Sequence, residues 1–355
     1  MAATVHYAGF DAEESQESIC AKTQRLFRAA DLGSVLTEDG LAAVKTHFGE
    51  RNNDSYVPAP FVKAVIDEVR EAGARPCLVE TSTLYRGQRS NAYDHFNLAM
   101  EHGFGPQEMG CPLLFLDGLK GNQHVEMPVN LKHFDTVAVA ADLTLIPSVL
   151  VVTHLTGHMM AGMGGAIKNV AMGLASRAGK LRQHSAGRPE VREGKCVACG
   201  TCAEWCPEDA IEVDDVAAID DEACIGCGEC VSVCPVGAMG FSWSESAQNF
   251  NEKMAEYAFG ILKDKSDRAG FITFIYRTTK DCNCESGTSE IICDDVGILA
   301  STDPVAVDQA AVDLVNEAHG GDLFGDVWPD LHPEVQLTHG EEIGLGSRDY
   351  ELVTV

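Results

Sequence analysis

Residues 196–235 read CVACGTCAEWCPEDAIEVDDVAAIDDEACIGCGECVSVCP. Cys196, Cys199, Cys202 and Cys206-Pro207 form a C-x2-C-x2-C-x3-C-P run, and Cys224, Cys227, Cys230 and Cys234-Pro235 repeat it 28 residues later. Three cysteines at this spacing wrap a tight loop round one face of a cubane, with backbone N–H groups free to point at sulfur. Gly200, Gly226 and Gly228 let that backbone come close. The proline after each fourth cysteine lacks an N–H and turns the chain away. A structural zinc site would use four ligands, usually as two separated C-x2-C pairs. Eight thiolates so arranged point instead to two [4Fe-4S] clusters, and hence to the movement of single electrons.

The run is similar to that of bacterial ferredoxins. In that family the first three cysteines of a run hold one cluster and the fourth ligates the other. The resemblance therefore implies one cluster on Cys196, Cys199, Cys202 and Cys234, and a second on Cys224, Cys227, Cys230 and Cys206.

Working outward, the chain of 355 residues is long enough for a large domain beside this small one. Its formal charge of -28 argues against nucleic acid or an anionic membrane surface as a partner. The charge is uneven. From Cys196 to Gly240 there are ten Asp and Glu residues and no Lys or Arg. This is either a solvated acidic face or a docking face for a basic redox partner protein, donor or acceptor. From Met163 to Lys195 seven cations face only Glu190 and Glu193. The first residues, Met1 to Glu17, show no basic stretch followed by an apolar core, so no secretory signal is expected. Val137 to Val152 is apolar but carries Asp142 and Pro147, and reads as two buried strands with a turn rather than a membrane span. Thiolate-held clusters fit a reducing cytoplasm.

On the N-terminal side, Phe61 to Ala72 has apolar residues at helical spacing and ends at Gly73. Arg75 to Glu80, Pro112 to Leu116 and Thr136 to Ala140 read as strands, and Asn91 to His102 as a helix. On the C-terminal side Phe271 to Tyr276 reads as a strand. Asp303-Pro304 then opens a helix reaching about Ala318. The alternation predicts an α/β domain with a mostly parallel sheet, interrupted by an inserted α+β two-cluster module. The expected boundaries are 1–190 and 243–355 for the two parts of the α/β domain and 191–242 for the module.

Just before the module comes HLTGHMMAGMGGAIKNVAMG, residues 154–173, followed by Arg177, Lys180, His184 and Ser185. Gly162, Gly164 and Gly165 lead into a helix of small residues. A helix N-terminus reached through glycines can offer unpaired N–H groups to an anion, although close helix–sheet packing produces the same pattern. With Lys168, Arg177, Lys180, His158 and His184 nearby, the reading is a pocket for a small anionic ligand. In it Gly164, Gly165, Arg177 and Lys180 bind the ligand, and His158, Lys168 and His184 supply the chemistry.

This segment, with Asp281-Cys-Asn-Cys284 and the stretch from Asp294 to Asp308, resembles the domain-of-unknown-function 362 family, many of whose members carry such an insertion. A more distant likeness, over residues 158–184, is to the nickel-pincer lactate racemases. It implies a covalent pincer nucleotide on Lys168, nickel ligation by His184 and proton transfer by His158. The racemases' second catalytic histidine has no counterpart in Thr81-Ser-Thr-Leu-Tyr85, so racemisation by two opposed bases does not carry over.

Cys282 and Cys284, two apart in an extended segment, would share one face and could reach one further metal or cluster, form a redox pair, or pack as small hydrophobes. Cys20, Cys77, Cys111 and Cys293 lack partners at ligand spacing and read as packing residues. Taken together, the sequence describes a cytoplasmic iron–sulfur redox protein, an oxidoreductase if its pocket reduces the anion or a further metal centre. The alternatives are a dedicated ferredoxin-type electron carrier, or a metallocofactor enzyme or assembly factor related to the racemases.

Overall fold

The computed structural model describes residues 2–10, 13–85, 87–184, 188–241 and 245–355. Ser185, at the end of the pocket motif, lies outside them. The central sheet has eight strands: β1 (Ala3–Gly9), β2 (Leu41–Lys45), β3 (Arg75–Glu80), β4 (Leu113–Phe115), β5 (Ser148–His154), β6 (Ala269–Ile275), β7 (Gly297–Ser301) and β8 (Tyr350–Thr354). Their spatial order is β8-β1-β7-β6-β5-β2-β3-β4. Only β7 runs against the rest, antiparallel to both β1 and β6. The remaining pairs are parallel. Strands β5, β6 and β7 are buried along their whole length, as unbroken apolar runs must be when helices cover both faces of a parallel sheet.

The principal helices are α1 (Gln16–Ala29), α2 (Ala59–Glu71), α3 (Ala92–Glu101), α4 (Ala166–Gly173), α5 (Arg177–His184), α6 (Ala247–Leu262) and α7 (Pro304–His319). On one face α1 and α2 bury Leu26, Phe27, Phe61 and Val65 against Val44, Leu150 and Phe274. On the other, α4, α6 and α7 bury Ile167, Val170, Phe250 and Val307 against Val149, Val151 and Phe271. The result is a three-layer α/β/α fold. The helix ends follow local rules. Asn91 caps α3 by accepting from the Asp94 N–H, and Asp303 caps α7 through Val305 and Ala306.

One strand lies elsewhere than the alternation implied. Thr136–Ala140 is a strand, but it pairs antiparallel with His124–Pro128 outside the main sheet. The two strands expected between Val137 and Val152 thus belong to different sheets, joined by a 3-10 turn at Ala141–Leu145. Strand propensity was correctly legible there, but pairing depends on partners distant in sequence.

Within the cysteine-rich segment, Pro189–Val191 pairs antiparallel with Met239–Phe241, and Ile211–Val213 with Ala217–Ile219. The first pairing brings the two ends of the segment side by side. Its interior is a small apolar cluster of Cys202, Cys230, Cys234, Ile211, Val231 and Met239, joined by Leu84 and Leu181 from the α/β part. Among the described residues no helix is long and apolar enough to cross a membrane.

Candidate functional site

The eight cysteines of the two runs fall into two concavities. One is lined by Cys196, Cys199, Cys202 and Cys234, the other by Cys206, Cys224, Cys227 and Cys230. Each fourth cysteine thus sits with the opposite triplet, and the proline after it lines the same concavity. All eight thiols are free. Backbone N–H groups already point at their sulfurs: Ala210 to Cys206 (3.2 Å), Ala217 to Cys196 (3.4 Å) and Ala238 to Cys234 (3.1 Å). Gly200 and Gly228 adopt left-handed φ of 76° and 75° to turn these loops.

A separate cavity of about 930 Å³ opens in the α/β part at the C-terminal ends of the parallel strands β2, β3 and β5. Ligand clefts favour that end of an open parallel sheet. His158, Lys168, Lys180 and His184 all line it, as do Gly164, Gly165, Cys282 and Cys284. Residues separated by more than a hundred positions in sequence therefore share one chamber.

The two histidines present complementary faces. His158 Nδ1 accepts the backbone N–H groups of Met160 (3.2 Å) and Ala161 (3.0 Å), which puts the proton of the neutral ring on Nε2. His184 Nδ1 donates to the Lys180 carbonyl (2.7 Å), which leaves its lone pair on Nε2. Both rings pack on Phe250, at 5.9 Å and 4.9 Å between centroids. Burial, with the nearby Lys168 charge, holds the His158 pKa well below its usual range. Burial likewise brings His184 down to about 4. Both are neutral at pH 7, one a hydrogen-bond donor and the other an acceptor.

Lys168 and Lys180 are pulled down to about 8, chiefly by desolvation. For Lys168 the charges of Arg89 and Lys45 add to the effect, and Glu285 opposes it. Lys180 Nζ donates to Thr81 Oγ1 and the Ala175 carbonyl, both at 2.7 Å. Gly164 makes room for Lys168: a Cβ there would lie 3.2 Å from the lysine Cδ and 3.6 Å from Nζ.

Two expectations are corrected. The N-terminus of α4 is not open to an anion, because the buried Asp308 carboxylate of α7 accepts from the N–H groups of Ala166 (2.6 Å) and Ile167 (2.9 Å). Gly165 exists for that approach, since a Cβ would lie 2.4 Å from Asp308 Oδ1. Gly164 and Gly165 are therefore packing residues on the cavity wall, not anion ligands. Arg177 is not in the cavity either. Its guanidinium is buried beneath the cysteine-rich segment and donates to the carbonyls of Thr83 (3.3 Å) and Ser90. The Arg177 side chain packs against Gly228, where a Cβ would lie 3.5 Å from its Cγ. One buried nitrogen, Nη1, has no hydrogen-bond partner there.

Several cavity residues escaped the sequence reading. Lys45 is wholly buried, paired with Glu80 and donating to Asn169 Oδ1 (2.8 Å). Arg89 pairs with Glu50 at 3.3 Å and donates to the Tyr85 hydroxyl. Tyr85 in turn donates to the Cys284 carbonyl (3.0 Å). The available signal was a charge closing an apolar strand, as at Lys45 in Leu41–Lys45. Cys282 and Cys284 are joined as a disulfide. A ligand atom of His158 lies within 4.8 Å of both sulfurs, so in the thiol form the three could also hold a soft metal ion.

No curated protein matches the chain. Among solved structures it is similar to the lactate racemase apoprotein from Thermoanaerobacterium thermosaccharolyticum, with 11% identity and a TM-score of 0.40 over 77% of this chain and 50% of that one. It is also similar to a Thermotoga maritima protein, with 9% identity and a TM-score of 0.42 over 86% of this chain and 59% of that one. The chain spans only about half to three-fifths of the length of these two structures. The family model for the domain of unknown function DUF362 matches residues 42–313, across the sheet, the cavity and the cysteine-rich segment alike, and the chain belongs to that family.

Proposed function

We propose that this protein is an iron–sulfur oxidoreductase: electrons enter at two [4Fe-4S] clusters in the cysteine-rich module and are used in the cationic cavity on a small anionic ligand. The crossed sets of four thiols, with N–H groups already aimed at sulfur, fit such clusters. Bound there, the clusters supply one-electron transfer at low potential. In the cavity, Lys168 and Lys180 attract the anion, His158 donates a hydrogen bond from Nε2, and the neutral His184 ring forms part of the wall.

The observation that carries this reading is the contact between the two parts. The loop holding Cys224, Cys227 and Cys230 rests through Gly228 on Arg177, and Arg177 is bonded to Thr83 of the cavity wall. Leu84, also on that wall, belongs to the module's own apolar cluster. A dedicated carrier has no use for a chamber so placed.

Protein purified without oxygen should contain about eight irons and about eight sulfides per chain. Titration with sulfate or pyruvate should raise its Tm, since a ligand bound only by the folded state stabilises it. Iron below about four per chain would sink the electron-transfer half. Full iron with no response to either anion would sink the cavity half and leave a simple carrier.

A further inference from the structure

Resting on that iron–sulfur reading, we propose that Cys282 and Cys284 form a redox-active disulfide, the two-electron acceptor of the cavity, reduced inside the protein by electrons that arrive through the cysteine-rich module. Among the described residues this is the one disulfide, while twelve cysteines are free. A bridge across a single intervening residue closes a very short loop and restricts the unfolded chain very little. Stabilising the fold is therefore a poor reason for it to exist. Disulfides that a ligand can reach, as this one on the cavity wall can be reached, are the labile and catalytic ones.

The surroundings support reversible opening. Asn283, between the two cysteines, is buried and clamped. Its side-chain amide meets Ser55 Oγ (2.9 Å) and His154 Nδ1 (3.0 Å), and its carbonyl accepts from the Glu50 N–H (3.0 Å). The Glu285 N–H bonds the Cys282 carbonyl (3.0 Å). Held by two bonds to its backbone and two to the Asn283 side chain, the loop can lose the S–S bond and keep its shape. A ring nitrogen of His158 lies within 4.8 Å of both sulfurs, so the imidazole stands beside the bond that opens.

Three consecutive residues connect this pair to the module. Tyr85 bonds the Cys284 carbonyl, Leu84 packs into the module's apolar cluster, and Thr83 accepts from Arg177, which lies against Gly228. The loop of Cys224, Cys227 and Cys230 is therefore the one that rests on Arg177, next to the cavity wall at Thr83.

In the reaction the Cys282–Cys284 bond breaks, taking up two electrons and two protons and leaving two thiols. Two equivalents of a low-potential one-electron donor protein are oxidised, and the protons come from the cavity. The resulting dithiol is the reductant presented to the bound anion.

The test uses holoprotein kept free of oxygen. It is titrated electrochemically with methyl viologen as mediator, and its thiols are mapped with N-ethylmaleimide and mass spectrometry before and after. The peptide containing residues 282–284 should be unlabelled before reduction and doubly labelled after it. Wild type should take up about four electrons per chain, and Cys284→Ser or Cys282→Ala about two, because only the one-electron clusters remain. Unchanged iron content and cooperative unfolding certify that both variants are folded. Equal electron uptake, or labelling before reduction, overturns the proposal. So does a tightly bound extra metal that is lost in Cys284→Ser, which would assign the group to a metal site. Iron and sulfide are measured on the same sample. Full iron with equal uptake defeats the disulfide alone, and absent iron defeats both readings.

Discussion

Lys168 and Lys180 are ammonium groups held where water is scarce, and the geometry gives their behaviour a sign. With pKa values brought down to about 8 from 10.5, both are charged at pH 7 and lose their protons as pH climbs past 8. Anion affinity should therefore fall from pH 7 to 9.5, by up to about tenfold per unit for each lysine engaged. Calorimetric titration of sulfate across that range checks this, and a flat profile would exclude these lysines as the receptor. Lys168→Met should weaken binding at pH 7 by about 2–5 kcal/mol, since it removes one partner of a desolvated charge pair. Lys45 answers to a different rule. Replacing it with Met leaves Glu80 buried without its partner and should cost about 3–5 kcal/mol of stability, whereas Lys45→Met with Glu80→Leu should recover most of the loss. Denaturant unfolding of the single and double variants measures both.

At the scale of elements, two junctions matter. The start of α4 is closed by the Asp308 carboxylate, whose pKa desolvation raises to about 7. Gly165→Ala would force that carboxylate away from the Ala166 and Ile167 N–H groups. It should cost about 1–3 kcal/mol of stability, through overpacking and loss of the cap. An unchanged denaturation midpoint would mean the cap is dispensable. The other junction is the crossing of the two cysteine loops. Cys206→Ser should damage the cluster held by Cys224, Cys227 and Cys230 and spare the one held by Cys196, Cys199 and Cys202. Electron paramagnetic resonance of the reduced protein separates the two, and loss of the latter signal would refute the crossed assignment.

For the whole molecule, the pairing of Pro189–Val191 with Met239–Phe241 sets the ends of the cysteine-rich segment next to each other. Replacing residues 192–238 by a short flexible linker should therefore leave the α/β part folded, because closing so small a gap costs little loop entropy. The exposed remnants, Leu84 and Leu181, should lower its stability by about 1–3 kcal/mol each at most. A deletion protein that remains dissolved but unfolds without cooperativity would show that the two parts do not fold separately. If a basic donor protein docks on the acidic residues of the same segment, as proposed, its association should slow at rising salt, and stopped-flow rates would register this.

Local pattern decided much of this protein. Helix α2 and strand β3 were visible in residue periodicity, and the cap at Asp303 in its residue type, because such features depend on neighbours within a few positions. The two cysteine runs were equally legible, since three of the four thiols in each concavity come from one tight loop. His158, Lys168 and His184 were found together for the same reason. The rest depended on the order of the strands. Lys45 meets Glu80 only because β2 lies beside β3, and Cys282 reaches His158 only because the chain returns through β6 beside β5. Arg177 and Asp308 show the converse. One was read as a pocket cation and lies under the module, and the other fills the helix terminus that seemed open. A charge's chemistry is fixed by the residue, but its partner is fixed by packing between segments far apart in sequence, and only the tertiary structure supplies that.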